Sequence, residues 1–357
     1  MRIFDTFPFD GELDLLAHHL AEVHDLIDVF VIVEAGQTYQ GDAKPCTFSA
    51  HRERFAWAGD KIRLVKLDRL GDSRRTPRQR AAIQRDAIHL ALHDAEPDDV
   101  VLLLDVDEVP SRSLLQRLRA GGLDRPRRLQ MTRHYERLDA VAPGSPCCPA
   151  HADGVTVVPR RARPGAWDGL ADTWRGQSGV AVPAREVTAS GGALFALRFG
   201  HIDAAPIRDA GRHFSSVDPS ARLERKLGRV FHDEWAGDRA TRPDHLRRCR
   251  VHGVHHRGWW YSEHPDGPLP DDLRRLADRL DAAADRGAFP PFWRRRLVRA
   301  WAELRLTPSL PDVAVALVDR YFDRLVPLTA VPLLIADVLQ ARRMALPAVF
   351  DDQHPAL

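Results

Sequence analysis

Val100-Val101-Leu102-Leu103-Leu104-Asp105-Val106-Asp107-Glu108-Val109-Pro110 is a run of five aliphatic residues that ends directly in three acids. An uninterrupted aliphatic run suits a strand covered on both faces, the condition of parallel sheets in α/β proteins. Such a strand delivers its acids to the sheet edge where α/β proteins place their ligands. Asp105 and Asp107 stand two apart and point the same way in extended backbone, while Pro110 stops the strand. Crowded carboxylates repel one another unless a cation lies among them. Oxygen ligands of this kind suit Mg2+ or Mn2+, which share their coordination with waters and phosphates. Alone, the stretch fits an ordinary acidic turn about as well as a metal site.

The flanking sequence extends the α/β pattern. Residues 1–9 read as a short strand, Glu12 to Val23 as an amphipathic helix with Leu13, Leu16, Leu20 and Val23 on one face, and Val29 to Val33 as a second aliphatic strand closed by Glu34. Strand, helix and strand in this order define a βαβ unit and a parallel sheet. Lys61 to Leu67 offers a third strand and Arg78 to Leu92 a helix before the acidic strand. After it, Leu114 to Arg119 is a short helix, Arg128 to Tyr135 a strand, and Ala193 to Phe199 a last strand. Residues 139–192, rich in Pro, Gly and Ala, read as long loops and short strands. Ala221 to Phe231 reads as a helix, and from Pro270 the pattern is almost wholly helical. The expected organisation is an α/β domain over 1–268 and a helical extension over 269–357.

Composition narrows the partners. The 357 residues are 44% hydrophobic, enough for a proper core, and 52 Lys+Arg against 50 Asp+Glu leave a net charge of +2. That balance supplies no global field for nucleic acid. The opening Met1 to Asp10 lacks the apolar core of a signal peptide. The apolar stretch from Leu325 to Leu339 is interrupted by Pro327, Pro332 and Asp337 and falls short of the ~20 residues of a membrane span. Cys46, Cys147, Cys148 and Cys249 form no C-x-x-C pair, so free thiols and a cytoplasmic location are expected.

Several blocks together resemble glycosyltransferase family 17. They are Phe9-Asp10-Gly11-Glu12-Leu13-Asp14-Leu15-Leu16, Asp28 to Ala35, Lys44-Pro45, Gln84-Arg85-Asp86, Asp105 to Pro110, Gly211-Arg212-His213-Phe214-Ser215, Lys226-Leu227 and His232-Asp233-Glu234. Their order and spacing agree from about residue 3 to 265. Arg212 replaces the family's usual aromatic residue, and the segment from about 270 has no counterpart. The resemblance implies a GT-A fold with a Rossmann-type nucleotide-sugar domain. It also implies an inverting transferase that uses Mn2+ or Mg2+ and a UDP-sugar donor, with N-acetylglucosamine as the sugar.

Within that implied chemistry, a departing diphosphate must be stabilised and a proton taken from the acceptor hydroxyl. Asp107 is the first metal ligand, with Asp105 on the metal or the ribose, Glu108 orienting the pair or the donor sugar, and His213 returning as a ligand or phosphate contact. Lys226 is placed to neutralise the diphosphate, although a solvated helix face beside Arg222, Arg225 and Arg229 explains it equally. Glu34 and Asp86 are expected near the nucleotide. Glu234, with Asp233 as second choice, is the general-base candidate, against a capping or salt-bridge role. Ser215 suits a scaffold role as well as chemistry. His252, His255 and His256 lack the spaced acids or thiols of a separate zinc site. The acceptor, whether glycan, natural product or glycoconjugate, is not encoded in any motif. The helical extension with Trp293, Trp301, Tyr321 and Phe322 is expected at the acceptor site or a homodimer interface.

Two competing functions use the same acids. In a haloacid-dehalogenase-like phosphatase, Asp105 would be the nucleophile and Asp107 the acid/base. That motif sits near the start of its domain and is followed by Gly-Asp-x-x-x-Asp, whereas Gly237-Asp238 leads to Arg242. A non-catalytic sugar-binding module is the second competitor, and the presence of all three acids argues against it.

Overall fold

The computed structural model describes residues 1–142, 177–215, 217, 242–254, 270–280, 290, 292–306 and 311–325. In chain order the strands are β1 (Ile3–Phe9), β2 (Val29–Ala35), β3 (Ile62–Leu67), β4 (Val100–Leu103), β5 (Glu108–Pro110), β6 (Arg127–Gln130), β7 (Thr132–Tyr135), β8 (Gln177–Pro183) and β9 (Gly211–Ser215). The helices are α1 (Leu13–Val23), α2 (Thr47–Ala50), α3 (Pro77–Asp86), α4 (Arg112–Gly121), α5 (Ala184–Ala189), α6 (Leu194–Phe199), α7 (Pro243–His252), α8 (Asp271–Arg279), α9 (Phe292–Arg305) and α10 (Asp312–Leu325).

The central sheet runs β3-β2-β1-β4-β8-β6. The first four strands are parallel, β8 is antiparallel to β4, and β6 is antiparallel to β8. This is the mostly parallel α/β sheet that the aliphatic runs imply. Alternate residues of each strand face opposite cores. Val100 and Leu102 join Ile3, Phe7, Phe30 and Ile32 under α1 and α4, whose Leu16, Leu20, Leu114, Leu115 and Leu118 are buried there. Val101 and Leu103 join Phe4, Val31 and Val33 on the other face, covered by Ile88, Val187 and Leu194. With both faces covered, β4 has no solvent side, which is why its sequence does not alternate.

A second sheet, β5-β9-β7, lies beyond the acidic turn. The stretch from Arg128 to Tyr135 is therefore not one strand. It breaks at buried Met131, with β6 in the large sheet and β7 in the small one. Ala193 to Phe199 also differs from expectation: residues 194–199 are helix, entered through Gly191 and Gly192 at φ 62° and 83°. Leu194 and Arg198 are both buried four residues apart, a helical spacing that the mixed run Ala-Leu-Phe-Ala-Leu-Arg-Phe disguises. The strands missing from the sequence reading are β5 and β9 of the small sheet and β8, which lies inside the region expected to hold loops and short strands. Val180, Ala181 and Val182 of β8 are fully buried beside β4.

The C-terminal pattern is helical as expected over α8, α9 and α10. Helix α8 lays Leu273, Leu276 and Ala277 against Leu15 of α1, Val109 of β5 and Phe214 of β9. Trp301 and Val298 of α9 pack against Cys249 of α7. No described helix is long and apolar enough to cross a membrane. Cys46 and Cys249 are free thiols. The expected helix from Ala221 to Phe231 lies outside the described residues.

Candidate active site

The end of β4 turns sharply through Asp105 to Glu108 and enters β5. Two hydrogen bonds close this turn: the Glu108 amide donates to the Asp105 carbonyl at 2.9 Å, and the Asp105 amide donates to Glu108 Oε2 at 2.9 Å. Arg198 of α6 then locks it from the side. Its Nη2 donates to Glu108 Oε1 at 2.7 Å and Oε2 at 2.9 Å and reaches Asp105 Oδ2 at 3.4 Å, while Nη1 donates to the Ser178 carbonyl at 2.5 Å. Arg85 of α3 bonds Asp105 Oδ1 and donates to the Leu104 carbonyl at 2.8 Å. Asp105 thus stands between two guanidiniums. Burial works against its ionisation, but Arg85 and Arg198 outweigh it and hold the carboxyl well below the usual range. Glu108 goes the other way: burial, with Asp105 and Asp107 close by, pushes its carboxyl up to about 7 against the pull of Arg198.

Gly179 of β8 is where these groups meet. A Cβ there would collide with the Leu104 side chain and crowd the Leu103 carbonyl at 3.2 Å and Glu108 Oε2 at 3.3 Å. Only glycine lets β8 pass this close to the turn. Helix α6 is aimed by Asp86, whose Oδ1 accepts the Phe195 amide at 2.7 Å. Phe199 lies under both guanidiniums, 5.7 Å from Arg85 and 5.3 Å from Arg198, a cation–π arrangement.

His213 arrives from β9, where it is the cross-strand partner of Glu108 and, on the other side, of Arg133 of β7. Its Nδ1 lies 3.0 Å from Ser178 Oγ, and its Nε2 lies 3.8 Å from Asp107 Oδ1. Burial and the charge of Arg133 lower the imidazole to about 3, so it is neutral at physiological pH. A neutral ring held at Nδ1 leaves Nε2 as a ligand facing Asp107. Adjacent corners of an octahedral site with ~2.1 Å bonds are about 3 Å apart, so Asp107 and His213 fit one small divalent cation with a shift of under about 1 Å. Among the described residues no three acids, thiols or imidazoles converge on a single point. Among the described residues, Asp107 and His213 are the pair so placed, and the other positions of such a site would suit waters and phosphate oxygens.

The remaining sequence-predicted residues divide three ways. Glu108 is buried in the turn itself. Glu34 ends β2 as expected, but its carboxylate accepts the Phe48 amide at 2.5 Å and the Ser49 amide and hydroxyl at 3.1 and 2.7 Å, capping α2. Asp86 holds α6, as above. Lys226, Asp233 and Glu234 lie outside the described residues. Sequence reasoning missed Arg198, Arg133 and Ser178 altogether. It also missed Tyr39, whose phenol burial pushes upward in pKa and which feels the charges of Arg85, Asp10 and Asp105.

The arginine-braced acidic turn, faced by a neutral histidine, lies at the strand-end edge of a mostly parallel α/β sheet, the edge where such folds place their ligands. Comparison with known proteins gives a family likeness: residues 1–136 match the model of glycosyltransferase family 17. The β-1,4-mannosyl-glycoprotein 4-β-N-acetylglucosaminyltransferases of Rattus norvegicus and Homo sapiens are each 28% identical to it over 119 residues. The match covers 31% of this chain and 22% of theirs, so the chain aligns with about a fifth of the length of these relatives. Among solved structures, the mannosyltransferase PcManGT from Pyrobaculum calidifontis, in complex with GDP-Man and Mn2+, aligns over 97% of this chain and 81% of its own. Identity is 15% and the TM-score 0.34, a likeness that adds nothing to the fold described above.

Proposed function

We propose that this protein is an inverting, metal-dependent glycosyltransferase of GT-A type that moves a sugar from a UDP-sugar to a hydroxyl acceptor. The observation that carries the reading is the approach of His213 Nε2 to Asp107 Oδ1 at the C-terminal end of β4, with Ser178 fixing the other ring nitrogen. Asp107 and His213 would hold Mn2+ or Mg2+, which when bound supplies Lewis acidity to the departing diphosphate. Asp105 is oriented by Arg85 and Arg198 toward the ribose side of the donor. Arg133, level with His213 on β7, adds positive charge beside the acids where the leaving group would lie.

The match of residues 1–136 to the family model and the N-acetylglucosaminyltransferase names of the relatives favour N-acetylglucosamine as the transferred sugar. A phosphatase with Asp105 as nucleophile is disfavoured, because Arg85 and Arg198 engage both of its oxygens. Glu234 remains the proposed general base.

Isothermal titration of UDP, GDP and UDP-N-acetylglucosamine with and without Mn2+ tests the reading. UDP ligands should bind more tightly with Mn2+, and Asp107→Ala should remove that metal-dependent part. Equal affinity in the variant, or binding of UDP that ignores Mn2+, would sink the metal assignment. Slow Mn2+-dependent hydrolysis of the UDP-sugar separates a transferase from a sugar-binding module.

A further inference from the structure

Beneath the acidic turn lies an ion pair that the proposed chemistry does not use. His19 of α1 and Asp5 of β1 are both fully buried, with His19 Nε2 2.8 Å from Asp5 Oδ2. The other ring nitrogen, Nδ1, lies 2.9 Å from the carbonyl of Val106, the residue between Asp105 and Asp107. A carbonyl and a carboxylate both accept and cannot donate, so the ring donates from both nitrogens and is an imidazolium paired with the Asp5 carboxylate. The next carbonyl of the turn, that of Asp107, accepts the Phe214 amide at 2.7 Å, and the Phe214 ring packs 5.6 Å from that of His18. Two successive carbonyls are thus held from below, by adjacent histidines of one helix, directly and through β9.

A buried ion pair is a poor source of stability, since apolar residues of similar volume commonly do as well or better. Among the described residues the second oxygen of Asp5 has no hydrogen-bond partner, so within them the pair is not optimised as a structural network. What it does provide is a fixed, charge-assisted donor to one particular carbonyl. We infer that His19, oriented by Asp5, is a positioning residue that sets the Val106 peptide and thereby aims Asp107 at His213. The inference rests on the metal-site reading above and extends it to two residues that never touch the ligand.

Amide hydrogen exchange on the full chain tests it without relying on any ligand. In His19→Gln, which has a single donor nitrogen in place of two on opposite sides of the ring, peptides spanning Leu104 to Val109 should exchange about tenfold faster or more, a factor equal to about 1.4 kcal/mol. Peptides from β2 and β3 should be unchanged. Asp5→Asn should give a smaller acceleration at the same place, and it decides the matter if the first variant does not fold. Mn2+-dependent UDP affinity should fall in parallel. Unchanged exchange in the turn overturns the inference, as does faster exchange with wild-type Mn2+ dependence. If the wild-type protein shows no Mn2+-dependent UDP binding, the transferase reading fails, while the exchange rates still decide whether the pair positions the turn.

Discussion

Replacing Arg198 with methionine removes the group on which the acidic turn closes. The guanidinium makes two hydrogen bonds to Glu108, one long bond to Asp105 and one to the Ser178 carbonyl, and methionine keeps most of the apolar stem. Breaking one side of a buried ion pair costs roughly 3–5 kcal/mol, because the remaining charge is left without compensation. At about 2–4 °C per kcal/mol for a domain of 150–250 residues, the melting temperature should fall by roughly 6–20 °C. The loss should also depend on pH. The folded protein already holds the Glu108 proton more tightly than an unfolded chain does, with the carboxyl at about 7 against an ordinary 4.5. Stability therefore decreases as pH rises through that window. Without Arg198 the carboxyl is pushed higher still and the decline extends further above neutrality. Thermal unfolding followed by circular dichroism at pH 5.5 and pH 8 should show a smaller deficit at the acid end and a larger one at the alkaline end. A variant that melts within about 2 °C of wild type at pH 8, or whose deficit does not change with pH, refutes the role given to Arg198.

Other perturbations follow from the same geometry. Gly179→Val should lower the unfolding temperature, since overpacking costs about 1–3 kcal/mol, and weaken Mn2+-dependent UDP binding; differential scanning fluorimetry and calorimetry check both. Leu102→Ala empties part of the core under α1 and should cost about 2–5 kcal/mol in a urea titration. His213→Ala should reduce the Mn2+ enhancement of UDP binding while leaving metal-free UDP affinity close to wild type in the same calorimeter. Glu234→Gln should preserve donor binding and abolish sugar transfer to acceptor; surviving transfer places the base elsewhere.

The acidic strand was readable because burial on both faces leaves a distinctive mark, five aliphatic residues followed at once by acids. The same physics made β2 legible, whose residues are all buried. Strand β8 left a weaker mark, because Ser178 and Gly179 occupy its first half, where the close approach to Leu104 excludes larger residues. Arg198 could not be picked out among 52 Lys+Arg, and its value comes from Glu108, ninety positions away. Glu34 shows the opposite case: its place at a strand end is plain in the sequence, but the Phe48 and Ser49 groups that bind it are set only by the fold. His213 was identifiable through its motif, whereas the Ser178 hydroxyl that selects its free nitrogen was not.

The pairing of β5, which follows Asp107, with β9, which carries His213, bears on which ion the proposed site would take. Glu108 and His213 are partners in the β5–β9 ladder, and the Asp107 carbonyl is tied to the Phe214 amide. The backbones that carry the two proposed ligands therefore keep the near-constant pitch of neighbouring strands, about 4.8 Å, where a pair of free loops could spread. A larger ion such as Ca2+ could be met only by rotating side chains, not by parting the backbone. In the proposed site the ladder would act as a ruler, and discrimination between small and large divalent ions would become a property of sheet geometry.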